Sequence, residues 1–193
     1  MSQLLLNVTP FKPVITESKE KPGVYIVEGI LQRATAKNQN GRTYSKAILE
    51  READRYTKEF IEVGNAFGEL DHPDDSVINL KNVSHLIVDV WWEGKDVMGK
   101  MKILDTPSGK TLKELINAGV KLGISSRGLG SVRESMGKTV VENDFQLICF
   151  DIVSEPSTPN AYVHPDKQAA SPMRMRENKE NTIDNLFTKI LGD

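Results

Sequence analysis

Apolar residues recur along the chain with two different periods. Val24-Tyr25-Ile26-Val27-Glu28-Gly29-Ile30-Leu31 is almost continuously apolar and β-branched, which predicts a strand buried on both faces. Lys21-Pro22-Gly23 turns into it, and Asn38-Gln39-Asn40-Gly41 marks a loop beyond it. Over residues 46–61 the period lengthens. Leu49, Ala53, Tyr56 and Phe60 follow one another at steps of four, three and four, forming one face of a helix that Ser45 is placed to cap. Val83 to Trp92 and Val97 to Leu104 return to β character, and Glu93-Gly94-Lys95-Asp96 joins them as a hairpin. Thr106-Pro107 opens a second helix with Leu112, Leu115 and Ile116 on its face and Gly119 as its stop. Thr139 to Val153 is a further β stretch whose blurred alternation suits a strand covered on both sides, ended by Pro156 and Pro159.

The two ends differ from this middle. Pro10, Pro13 and the polar run Glu17-Ser18-Lys19-Glu20 predict a flexible extension over residues 1–20. From about Pro165 the chain turns polar. Ile183, Leu186, Phe187, Ile190 and Leu191 then fall on one face of a short C-terminal helix. The pattern divides the chain into an extension (1–20), a compact domain (21–164), and a polar linker with an amphipathic helix (165–193). The fold class is α+β, mostly antiparallel strands with two or three helices.

Composition narrows the function. Of 193 residues, 38% are hydrophobic and only 6% aromatic, so the core is expected to be mainly aliphatic. Lys and Arg total 25 against 27 Asp and Glu, a net charge of −2. No global basic field exists to hold phosphates, so nucleic acid is not an expected partner. A single cysteine, Cys149, excludes a disulfide framework and a cysteine-rich zinc site. No apolar run approaches the ~18 residues of a membrane helix, and the first residues lack signal-peptide character. A soluble, reducing compartment is expected.

Candidate chemistry is sparse. Gly109-Lys110-Thr111 mimics the end of a phosphate-binding loop, but Leu104 stands where such a loop needs glycine. His72, His85 and His164 lie far apart, and Asp71, His72, Asp74 and Asp75 read as a proline-containing turn rather than a metal site. No cofactor is implied. Two segments, read as loops, remain. Gly68-Glu69-Leu70-Asp71-His72-Pro73 offers an imidazole next to a restricted proline. Gly123-Ile124-Ser125-Ser126-Arg127-Gly128 offers two hydroxyls, an arginine and flanking glycines. A serine nucleophile needs a base to take its proton and N–H donors for the developing oxyanion.

These segments, with Val90-Trp91-Trp92-Glu93-Gly94-Lys95-Asp96-Val97 between them, resemble the prohead core protein proteases of T-even-type tailed phages. Gly29-Ile30, Asn40-Gly41-Arg42-Thr43-Tyr44-Ser45 and Glu155-Pro156-Ser157-Thr158-Pro159-Asn160-Ala161 fit the same order, over about residues 22–164. The resemblance implies the herpesvirus-assemblin-like serine protease clan, whose fold is a small β-barrel flanked by helices. It implies His72 as general base and Ser125 as nucleophile, with Ser126 as rival. For the third member it points to Asp151, with Glu155 and Asp71 as alternatives. Arg127 and Gly128 are the candidates for oxyanion or substrate contact, by N–H groups or guanidinium. Trp91 and Trp92 read mainly as packing.

The resemblance further implies cleavage after Glu in an aliphatic-x-Glu-small pattern. Ile15-Thr16-Glu17-Ser18 fits it, so self-cleavage between Glu17 and Ser18 is expected. A pocket for Glu needs positive charge, with Arg33, Lys121, Arg127 and Arg133 as candidates. The expected substrates are scaffold, core and capsid proteins inside the assembling prohead in the host cytoplasm, with self-association into a homo-oligomer. The C-terminal helix is expected to dock on scaffold partners, cover the cleft or pack on the core.

Overall fold

The structure, a computed structural model, describes residues 2–9, 14–17, 24–38, 40–71, 73, 75–135 and 137–154. Long β-branched runs form two main sheets. In the first, β3 (Tyr25–Arg33) pairs with β7 (Asp96–Ile103), which pairs with β6 (Val83–Glu93), and β5 (Phe67–Glu69) lies on the outer edge of β6. The expected hairpin is thus present, turning at Gly94 with φ 61°. In the second sheet β8 (Gly123–Gly130) is the central strand, with β11 (Gln146–Val153) antiparallel on one side. A small third sheet joins β4 (Arg42–Thr43), β10 (Lys138–Val141) and β9 (Val132–Ser135). The single β stretch expected over 139–153 is therefore two strands, broken at 142–145, where Phe145 turns into the core.

The extension expected to be flexible contributes a strand to each main sheet. β1 (Gln3–Thr9) runs antiparallel along β8, and β2 (Val14–Glu17) extends the first sheet beyond β3. Leu5 is wholly buried in the core. Its ladder partner, Gly128, lies more than a hundred positions away, a pairing that local proline signals do not reveal.

Two of the three expected helices form; the C-terminal one, with Ile183, Leu186, Phe187, Ile190 and Leu191, lies outside the described residues. α1 (Lys46–Tyr56) starts at Ser45, whose hydroxyl accepts from the Ile48 N–H at 3.2 Å, and continues as a π-helical turn over Thr57–Ile61. Its buried Glu52 accepts the Leu147 N–H at 2.8 Å and pairs with Arg51 and Arg55, fastening the helix to the start of β11. α2 (Pro107–Asn117) has Thr106 as its cap and buries Leu112 and Ile116. The core is chiefly aliphatic, with two edge-to-face ring pairs, Tyr44–Phe145 and Tyr56–Phe150.

The α+β class holds, but the β-barrel does not. Among the described residues the two main sheets keep separate ladders. One parallel bridge links their backbones, between Leu70, just after β5, and Ile152 on β11. Through that bridge the first candidate segment reaches β11, the neighbour of the strand that carries the second. No helix among the described residues is long and apolar enough to cross a membrane.

Candidate active site

Ser125 does not lie in a loop. It sits within β8, flanked on one side by β1 and on the other by β11, with Asp151 directly opposite in register. Strand alternation sends Ser125 and Arg127 to one face and Ile124, Ser126 and Gly128 to the other. Ser126 shares its face with Phe150 and Leu5, and its hydroxyl donates to the Asn7 carbonyl at 3.3 Å. The Ser125 hydroxyl is 0% exposed and has no hydrogen-bond partner among the described residues.

The Ser125 face is buried yet polar. Arg127, two positions along, is fully buried between two fully buried carboxylates. Its Nη2 donates to Glu69 Oε1 at 2.7 Å and to Asp151 Oδ1 at 3.3 Å. Its Nε lies 3.0 Å from Asp151 Oδ2, while the Nε–H is directed at Cys149 Sγ at 3.2 Å. Nη1 donates to the Asp75 carbonyl at 2.8 Å. Asp151 also accepts the Glu69 N–H at 3.0 Å and the Cys149 thiol at 3.4 Å. Burial pushes the Asp151 carboxyl above the ordinary carboxylate range against the pull of Arg127. Burial and then the Asp151 charge push the Cys149 thiol up, so it stays protonated.

The segment after β5 is tied to this face from several sides. Leu70 donates its N–H to the Asn82 carbonyl at 3.0 Å, and Asp71 donates to the Ile152 carbonyl at 2.7 Å. Ile152 pairs with Ile124, the neighbour of Ser125. Asp71 therefore stands about two strand spacings, ~10 Å, from the strand carrying Ser125. Its φ of 63° turns the chain sharply, a conformation that Asp tolerates better than most residues. His72 itself lies outside the described residues, as do Ser18, Asp74 and Glu155.

Gly68 makes this approach possible. A Cβ there would come within 2.1 Å of His85 Nε2 and 2.3 Å of the Phe150 carbonyl oxygen. His85 is fully buried between the sheets; its Nε2 meets the Phe150 carbonyl at 3.0 Å and its Nδ1 meets the Ser84 hydroxyl at 2.9 Å. The carbonyl needs an Nε2–H donor, so the neutral ring accepts from Ser84 at Nδ1. Burial lowers its pKa to about 4.

Several expectations change in this geometry. Among the described residues the guanidinium of Arg127 faces carboxylates, a thiol and a loop carbonyl. Gly128 lies between two ladders, and a side chain there would strike Phe145 at 2.5 Å; close packing accounts for its lack of one. The described partners of Asp151 are Arg127, Glu69 and Cys149. Arg33 pairs with Asp96 at 2.8 Å and Arg133 with Glu142 at 2.6 Å, both on the surface. Trp92 packs against the core under Lys46, and Trp91 donates to Glu93 at 2.9 Å.

A family model described as prohead core protein serine protease matches residues 11–172. The chain belongs to that family. It is 40% identical over 149 residues to the prohead core protein protease of Enterobacteria phage T4, covering 75% of this chain and 70% of the relative. The solved structure of the bacteriophage T4 capsid assembly protease aligns with a TM-score of 0.75 at 33% identity, over 80% of this chain and 99% of that one. The buried cluster around Arg127 also holds Glu69, Asp75 and Cys149, to which sequence reasoning gave no role at the site. Glu69 stood inside the Gly68–Pro73 motif without a role. The available signal was charge: an acid beside an apolar run needs a cation, and Arg127 lies in the other motif.

Proposed function

We propose that the chain is a serine endopeptidase of prohead maturation, with Ser125 as nucleophile and His72 as general base. The imidazole takes the hydroxyl proton as Oγ attacks the scissile carbonyl. The tetrahedral intermediate then collapses, the C–N bond breaks, and the same proton passes to the departing amine. Water, deprotonated by the imidazole, attacks the acyl-serine and releases the new carboxylate and the free hydroxyl. The bonds cut lie after Glu in aliphatic-x-Glu-small segments of scaffold, core and capsid proteins, and include the chain's own Glu17–Ser18 bond. The work is done by self-associated copies in the assembling prohead, within the host cytoplasm.

One observation carries this reading. Asp71, the residue before His72, is hydrogen-bonded to Ile152, whose ladder partner Ile124 precedes Ser125. Two segments far apart in sequence thereby meet across one strand, and of the two serine hydroxyls that of Ser125 has no partner among the described residues. Asp151, opposite Ser125, supports the site through Arg127.

Full burial of Ser125 favours a second reading, a structural core component without activity. Incubation with a peptide containing Ile-Thr-Glu-Ser separates the two. Cleavage after Glu by the wild type and none by Ser125→Ala supports the peptidase; no cleavage by either supports the inert component.

A further inference from the structure

We propose that Arg127 is the positioning residue of the site. One guanidinium clamps both flanks of the segment carrying His72 to the strands carrying Ser125 and Asp151. The inference rests on the peptidase reading above and adds how the base is held.

The clamp has three jaws on three elements. Nη2 grips Glu69, at the end of β5, three residues before His72. Nη1 grips the Asp75 carbonyl, three residues after it. Nε and Nη2 together lie against Asp151 on β11. Glu69 passes the hold further along the segment, because the same Oε1 accepts the Asn79 N–H at 3.1 Å. Arg127 itself projects from β8 on the Ser125 side, two residues and so ~7 Å along the strand. Displacing this fork would loosen the chain on both sides of residue 72 while leaving the β8–β11 ladder in place.

Charge and geometry both argue that the cluster serves more than stability. One cation faces two carboxylates, and all three are withdrawn from water. Well-packed neutral side chains commonly hold a fold as well as such a buried cluster does. Only arginine has planar, divergent donors able to reach a carbonyl on one side and two carboxylates on the others; a lysine ammonium carries the charge without the fork.

The test uses Arg127→Lys and the neutral triple variant Arg127→Met/Glu69→Gln/Asp151→Asn, compared with wild type and Ser125→Ala on the Ile-Thr-Glu-Ser peptide. Thermal unfolding and separate kcat and KM values are measured for each. The clamp predicts a folded variant with KM within about twofold of wild type and kcat lowered about 100-fold, the scale of an ångström's misplacement of a catalytic group. A folded variant with wild-type kcat overturns the proposal. Failure of both variants to fold also overturns it, by assigning Arg127 to stability alone. Should wild type itself leave the peptide uncut, the peptidase reading fails, and that result is distinct from either outcome for the clamp.

Discussion

Ser125 and Ser126 are neighbours that face opposite sides of one strand: Ser126 donates to the Asn7 carbonyl toward the apolar core, and Ser125 stands among buried charges with no described partner. Their substitutions should separate accordingly. Ser126→Ala is expected to lose one hydrogen bond, ~1 kcal/mol of stability, and to keep cleavage activity. Ser125→Ala is expected to abolish cleavage and to leave stability unchanged or slightly raised, since it removes a hydroxyl that folding desolvates without compensation. Denaturant unfolding and the peptide assay on both variants check the pair.

His85 makes stability depend on pH. Its folded pKa of about 4 lies below the ordinary imidazole value of 6.5. Between those values the unfolded chain binds a proton that the buried ring refuses, so stability is whole above pH 6.5 and falls as pH drops toward 4. The shift corresponds to roughly 3 kcal/mol. Unfolding free energy measured from pH 7 to 4 should fall by that order in wild type, and the fall should be smaller in His85→Gln.

Gly68 lies close against the same ring. Gly68→Ala would drive a methyl group against His85 and the Phe150 carbonyl, and displacing backbone is harder than turning a side chain. A loss of ~3 kcal/mol is expected, measurable as a lowered denaturation midpoint. Cleavage should fall with it, because β5 would be pushed away from β11.

Asp71 tests the turn into the His72 segment. Its positive φ suits glycine and disfavours β-branched residues by ~1–2 kcal/mol. Asp71→Gly should therefore keep more cleavage activity than Asp71→Val, with the difference appearing in kcat. Equal activities would show that this backbone conformation does not matter to the base.

How much of this was legible in the sequence depended on range. Ser45, Thr106 and Gly94 act within a turn of their own position, and the two helices and the hairpin were read from them. β1 was missed because Pro10 and Pro13 signal a break, whereas the strand is held by β8, with Asn7 meeting Ser126 across 119 positions. The glycines around Ser125 suggested a loop. Gly128 instead makes room for Phe145, a residue whose approach no local pattern announces. Ser125 and Asp151, which the resemblance proposes for the site, lie opposite each other in register. The pairing of Arg127 was not legible for a physical reason: its partners, Glu69 and Asp75, come from a segment more than fifty residues earlier, and burial of the group is settled only when both sheets are assembled.

The location of β1 and β2 bears on the proposed cut after Glu17. Hydrolysis there would not free a loose tail. It would turn the first seventeen residues into a tethered-by-pairing ligand, with one strand against β8 and one against β3, including the wholly buried Leu5. Retention would then depend on local concentration. High in a crowded shell and low after escape, it would give each processed molecule a working lifetime set by peptide dissociation.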